Sequence, residues 1–401
     1  MLRFKALILN KTDTISAYMK ILHLINLQGF GGAERLFIEY LKNSSFTNEV
    51  LCSSNQINEN IISELKSYKI IYANRIGNTS VKYPAFLRKH ILSRKINRRN
   101  SDITLVWDFV PKLNKKPENG IFLYYDHGCS WRYPENKKTF TFLNMLDGAI
   151  SVSVASKRIM QLRFNPGFKI STVINRLPMK TAVSSHTSPI KKVILGTASR
   201  LVGLKGIGVS ILCLKELIES GKDAELIISG DGEQKCQLEE LAVKLNIADK
   251  VKFIGYQHNM ENFYNSIDIY LSTPVTEPFG LSCIEALSQG IPVIFPLIDG
   301  QPEAVKDKYC GIGIKPSLSV EEYRRLTGLS VDFPYDIYDP ENDCLAEIKL
   351  ISPSDILPAI TGIISDYESY SENAKKWSLK TTDYDAFICE FESILEKMTY
   401  R

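Results

Sequence analysis

The sequence predicts an α/β protein of two Rossmann-like domains, each a doubly wound parallel sheet, and three observations predict it. Short β-branched or aliphatic runs alternate with longer helical patterns along the whole chain. Those short runs are continuously apolar, as in strands buried on both faces of a parallel sheet. At 401 residues the chain is too long for one hydrophobic core and suits two. The charge divides in the same way. Residues 1–185 carry 28 Lys and Arg against 12 Asp and Glu, whereas residues 186–401 carry 21 against 33. The sign changes near Met179–Lys192, where the segment from Lys180 to Pro189 has linker-like composition. This places a first domain over residues 19–180 and a second over 186–377. Residues 1–18 precede the first strand as an extension of unknown role, with Met19 a natural start.

In chain order, Ile21–Ile25 reads as a strand, Gly32–Leu41 as a helix and Glu49–Ser53 as a strand. Helical patterns follow around 59–68 and 84–98, then strands at Ile103–Trp107 and Ile121–Tyr125. A helix near 135–146, a strand at 148–152, a helix near 154–163 and a strand at 171–174 complete the first half. The second half repeats the rhythm, with strands at Val193–Ala198, Glu225–Ser229, Val251–Ile254, Ile267–Leu271 and Pro292–Phe295 separated by helices. Residues 316–353 read as an elaborated acidic loop, and a helical stretch around 371–398 ends the chain. In doubly wound folds, ligands bind beyond the carboxyl ends of the strands, so the residues that follow strands are the candidates for chemistry.

Composition excludes several classes. Hydrophobic residues make up 44% and charged residues 23%, which rules out a disordered or fibrous chain. No apolar run approaches the ~20 residues that cross a bilayer, and the apolar start is too short for a secretory signal. The eight cysteines are scattered, with no Cys-x-x-Cys pair, which predicts reduced thiols in a cytoplasmic protein. No His-Glu-x-x-His, P-loop or Gly-x-Ser-x-Gly is present, and five histidines leave little for a metal site, so no metal is expected. The basic half should face something anionic. Nucleic acid is disfavoured, because aromatic residues are not regularly interleaved with the basic ones.

Four segments carry the candidate chemistry. Thr276-Glu277-Pro278-Phe279-Gly280-Leu281-Ser282-Cys283-Ile284-Glu285 lies between a strand and an apolar helix, with two glutamates eight positions apart. Gly280 lets backbone approach a ligand, and the helix start offers N–H groups to an anion. Singly, each glutamate reads equally as a surface or helix-start carboxylate. Gly196-Thr-Ala-Ser-Arg200-Leu-Val-Gly-Leu-Lys205-Gly206 puts two cations five residues apart after a strand, enough to neutralise a diphosphate or simply to flank a helix. Gly29-Phe30-Gly31-Gly32-Ala33-Glu34 opens a helix directly after the first strand, where a tight turn needs glycine in any case. Asp126-His127-Gly128 ends the strand Ile121–Tyr125.

Together these segments resemble retaining GT-B glycosyltransferases of glycosyltransferase family four, the type that builds bacterial cell-surface polysaccharide and lipopolysaccharide. The resemblance covers most of the chain. It implies a GT-B fold, with the first domain binding acceptor, the second binding a nucleotide sugar, and the helix at about 378–401 crossing back to the first. It assigns catalysis to His127, Glu277, Arg200 and Lys205. Donor binding falls to Gly31, Gly32, Arg200, Lys205, Ile254, Glu277, Phe279, Gly280, Leu281 and Glu285. On this reading Glu277 holds donor-sugar hydroxyls, Glu285 the ribose and Ile254 the base, while Arg200, Lys205 and the Gly280–Leu281 amides hold the diphosphate. The nucleotide sugar, a UDP-sugar in preference to a GDP-sugar, is a substrate, and no cofactor is implied. The partner is a glycan or lipid-linked acceptor. A sugar-nucleotide epimerase or hydrolase on the same fold, or an inactive nucleotide-sugar-binding protein, is the alternative. The chain departs from the family's pattern at Asn175-Arg176-Leu177-Pro178, where an Asn-Gly or Asn-Pro hinge is usual, and in the long acidic stretch 316–353.

One feature of the basic half bears on location. Phe86–Arg99 holds six Lys or Arg beside five large apolar residues. A core-packed helix with a solvated face accounts for it, as does a helix resting on anionic lipid through Arg94, Lys95, Arg98 and Arg99 at the inner face of the cytoplasmic membrane.

Overall fold

A computed structural model describes residues 19–29, 31–77, 79–81, 83–179 and 192–400. These fall into two compact units. One gathers the described residues through Val152, then Met160–Ile174 and the C-terminal segment from Asp385; the other gathers Ser153–Ile159 and the described part of Asn175–Tyr384. The linker expected at Lys180–Pro189 lies outside the described residues, as do residues 1–18 and Phe30. Residues 175–179 cluster with the second unit, and the chain re-enters the first at Asp385 rather than near 378.

The first unit is a seven-stranded parallel sheet of β1 (Lys20–Ile25), β2 (Thr47–Cys52), β3 (Ile70–Tyr72), β4 (Ile103–Trp107), β5 (Ile121–Asp126), β6 (Gly148–Ser151) and β7 (Lys169–Thr172). Their spatial order is β3-β2-β1-β4-β5-β6-β7. Strand order reverses between β1 and β4, so the loops leaving those two strands flank a switch point, the usual ligand position in such sheets. Every residue of β4 is buried, which is why its run is apolar on both faces.

The second unit is a six-stranded parallel sheet of β8 (Val193–Ala198), β9 (Ala224–Ser229), β10 (Val251–Gly255), β11 (Ile269–Leu271), β12 (Val293–Pro296) and β13 (Gly311–Ile314). The order is β10-β9-β8-β11-β12-β13, which reverses between β8 and β11. The loop with Arg200 and Lys205 leaves β8, and the loop with Glu277 follows β11, so the topology brings these two motifs together. The core joins Leu195, Leu226, Ile228, Ile269 and Ile294 of the sheet to Ile211, Leu214 and Ile360 of covering helices.

Several expectations are corrected. The helix read at 59–68 is a single turn, Glu59–Ile62, and β3 follows it unforeseen. Residues 316–353 are not a loop: they hold the helix Val320–Thr327 and two antiparallel pairs, Leu318–Ser319 with Lys349–Leu350 and Ile337–Asp339 with Cys344–Ala346. The helical stretch at 371–398 is two helices, Tyr367–Thr381 and Tyr384–Thr399. On the latter, the buried Glu392 accepts from the Ser44 and Ser45 hydroxyls and the Ser45 N–H, tying the chain end into the first unit.

The basic helix is Ala85–Asn97, and it packs Ile91, Leu92 and Ile96 inward. Lys95 does not project: its ammonium donates to the Tyr72 and Arg75 carbonyls, because a long stem can run over apolar surface to reach a polar anchor. Arg99 lies 3.8 Å from Glu49. Two of the four cations assigned to lipid therefore serve the fold. Arg94 and Arg98 are exposed, and so are Tyr83 (85%) and Phe86 (70%).

Candidate active site

The second unit holds most of the sequence-derived residues. β8 runs into a loop with the exposed Arg200, then a short turn Gly203–Lys205 and the helix Ile207–Glu219. The turn is closed by Gly206 at φ 58°, where a Cβ would lie 2.1 Å from the Thr273 carbonyl, so only glycine can pass. Lys205 is thereby aimed across the switch point, and its Nζ lies 2.5 Å from Glu277 Oε2 with both side chains mostly shielded from water. The sequence pairs neither with the other.

Gly280, at φ 113°, starts the helix Leu281–Ser288, and no side chain caps it. Its first N–H groups are thus offered to an anion beside Lys205. Phe279 is 2% exposed, so it can offer a ligand its backbone and not its ring, and Leu281 is half-buried. Glu285 accepts 2.8 Å from the hydroxyl of the buried Tyr264, a partner the sequence does not reveal. Ile254 is 38% exposed at the end of β10, followed by Tyr256 edge-on to His258 at 5.0 Å. Asp299 was read only as part of a weak echo. It is buried, and its Oδ2 accepts from Thr276 Oγ1 at 2.7 Å and from the Glu277 N–H at 3.0 Å.

The first unit holds His127, Gly31 and Gly32. Gly31 is extended at the start of the helix Gly32–Asn43, and Arg35 N donates to its carbonyl. His127 follows β5. Its ring stacks on Trp107 at 5.4 Å and 15° and meets Tyr125 edge-on at 4.2 Å, and its buried Nε2 has no hydrogen-bond partner. Burial pushes its pKa down to about 3, so the imidazole is neutral. Its N–H donates to Asp108 Oδ1 at 2.7 Å, and Asp108 also accepts from the Cys129 N–H and thiol. Burial, and then the nearby charge of Asp126, push the Asp108 carboxyl up to about 6. The Trp107 indole donates to His23 Nδ1, and His23 Nε2 lies 2.7 Å from Asn48 Oδ1. Asp108, Trp107 and His23 are supports the sequence reading missed. Their only signals are a polar residue at a strand end and a histidine inside an apolar strand.

Residues 179–327 match the family described as Glycosyl transferases group 1. The fold is GT-B. The chain is 33% identical over 119 residues to an uncharacterised glycosyltransferase of Methanocaldococcus jannaschii, a stretch covering 29% of this chain and 30% of that one. It is 24% identical over 285 residues to the lipopolysaccharide core biosynthesis glycosyltransferase LpsD of Rhizobium meliloti, covering 70% and 79%. The fold superposes on the Anabaena protein HepE in complex with UDP and glucose, with a TM-score of 0.68 at 16% identity, covering 94% of this chain and 99% of that one. Matches to the curated relatives most like it span about a third of their length or less. This GT-B chain thus carries its glycosyltransferase-like residues in the matched segment, which includes Arg200, Lys205, Ile254, Glu277, Gly280 and Glu285.

Proposed function

We propose that the chain is a retaining glycosyltransferase that moves a sugar from a UDP-sugar to a hydroxyl of a glycan or lipid-linked acceptor in cell-surface polysaccharide assembly. The observation that carries this reading is the convergence of Lys205, Glu277 and the uncapped start of helix Leu281–Ser288 at one switch point. A cation and a helix start suit a diphosphate, and the adjacent carboxylate suits sugar hydroxyls. In the reaction, the bond from the anomeric carbon to the diphosphate oxygen breaks through an oxocarbenium-like transition state. The acceptor oxygen bonds to that carbon on the same face, and its proton passes to the departing phosphate, so no side-chain base is required. Arg200 and Lys205 neutralise the charge that develops on the leaving group, without a metal. Glu277 holds donor-sugar hydroxyls, Glu285 the ribose, and neutral His127 offers the sugar a hydrogen bond. That HepE was solved with UDP, and that LpsD serves lipopolysaccharide core biosynthesis, supports the donor and the setting.

Thermal shift against UDP, GDP and their sugars tests the reading. Ligand at 100 times its Kd should stabilise the protein by about 2.7 kcal/mol. UDP should shift the unfolding temperature most, in EDTA as in its absence, and Arg200→Ala or Lys205→Ala should abolish the shift. No response to any nucleoside diphosphate would overturn it.

A further inference from the structure

We infer that Asp299 is a positioning residue for Glu277, and that through it the hairpin Ile337–Ala346 in the acidic stretch fixes the donor-sugar carboxylate. The inference rests on the reading of Glu277 given above. Asp299 follows β12 at φ 47°, a left-handed conformation that suits Asp among non-glycine residues, and it is 1% exposed. Its two carboxylate oxygens face opposite ways. Oδ2 takes the Thr276 hydroxyl at 2.7 Å and the Glu277 N–H at 3.0 Å, while Oδ1 takes the Tyr338 N–H at 2.8 Å. The Asp299 N–H donates to the Tyr338 carbonyl at 2.9 Å, so hairpin and residue are joined by a reciprocal pair. The Gly300 N–H adds a bond to the Glu277 carbonyl at 3.2 Å. Glu277 is thus gripped on both sides of its peptide unit, which leaves its side chain few directions.

The hairpin is itself braced. Tyr338 OH donates to Asp343 Oδ1 at 2.8 Å, and Arg158 pairs with both Asp343 oxygens at 2.8 and 2.9 Å. Without that stretch Asp299 would lose both its bonds to Tyr338. A carboxylate whose oxygens receive only N–H and O–H donors cannot be replaced isosterically by an amide, because the NH2 group would oppose one of those donors.

Asp299→Asn should therefore lower kcat about tenfold or more, the scale set by small misplacements of reacting groups, with the Kd for UDP changed less than about twofold. A residue serving stability alone would lower the unfolding temperature and leave kcat per folded molecule unchanged. The decisive measurement is a double-mutant cycle with Glu277→Gln: if Asp299 acts through Glu277, adding Asp299→Asn to Glu277→Gln costs less than about a further twofold. Losses that multiply, or an undiminished kcat in Asp299→Asn, would overturn the inference. Should Asp299→Asn fail to fold, Asp343→Asn loosens the far side of the hairpin and must show the same non-additivity. Full turnover in Glu277→Gln alone would instead remove the role given to Glu277, and this inference with it.

Discussion

The Lys205–Glu277 contact changes what each side chain can be expected to do on its own. Both are mostly shielded, and each is the other's partner at 2.5 Å. A diphosphate reaching Lys205 competes with Glu277 for the ammonium, so the carboxylate is turned toward the sugar as the cation turns toward the phosphate. Removing the charge of Glu277 leaves Lys205 available. Glu277→Gln should therefore bind UDP as tightly as the unaltered protein or more tightly, while turnover falls. Glu285 has a separate tether in Tyr264, so Glu285→Gln should weaken UDP binding by roughly 1–3 kcal/mol, the cost of losing a hydrogen bond to a charged group. Calorimetry with free UDP checks both. Weaker binding in Glu277→Gln, with no change in Glu285→Gln, would exchange their roles.

At the scale of elements, the ends of β4 and β5 form one unit that titrates against itself. His23 is held near pKa 4 and His127 near 3 by burial, below the ordinary 6.5, so the unfolded chain binds more protons at these sites between pH 4 and 6.5. Their contribution to stability is lost as pH falls through that window. Asp108 is raised from 3.8 to about 6, so the folded state binds the extra proton, and its contribution is lost as pH rises from 4 to 6. Near pH 5 the three leave a net of one proton, and stability should rise with pH by about 1.4 kcal/mol per unit. Asp108→Asn removes the opposing term and should roughly double that slope; His127→Gln should flatten it. Denaturant unfolding at pH 4.5, 5.5 and 6.5 reads the difference, and parallel slopes in all three proteins would refute the assignment. These strands were legible because Ile103–Trp107 and Ile121–Tyr125 are unbroken apolar runs. The supports at their ends were not, since His23, Trp107 and Asp108 meet only through the parallel register of β1, β4 and β5. The same limit hid β13, whose Gly-Ile-Gly-Ile carries little strand propensity and is fixed by pairing with β12. It also hid the Ile337–Ala346 hairpin, which lies in a polar, proline-bearing stretch. In the site, the motifs after β8 and β11 could be read from residue type, whereas the Lys205–Glu277 and Tyr264–Glu285 pairings depend on tertiary placement.

For the whole molecule, the division of charge between the halves remains to be used. An excess of 16 positive charges in residues 1–185 attracts anionic surface, and an acidic second half does not. The structure narrows which groups can act. Lys95 is committed to two carbonyls and Arg99 lies beside Glu49, so the helix Ala85–Asn97 would meet lipid through Arg94 and Arg98, with Lys89 on the same helix and Tyr83 and Phe86 beside them. Exposed aromatic rings next to cations suit an interface where one part is apolar and the other charged. No helix among the described residues is long and apolar enough to cross a membrane, so such attachment would be peripheral. Each cation near an anionic surface contributes about 1 kcal/mol, screened over roughly 8 Å at physiological salt. Sedimentation with vesicles should thus show binding to phosphatidylserine-containing lipid that falls as salt rises. Replacing Lys89, Arg94 and Arg98 with Ser should abolish it, and Tyr83→Ser with Phe86→Ser should weaken it while preserving its salt dependence. Binding to neutral vesicles with equal strength, or to neither kind, would place the acceptor in solution.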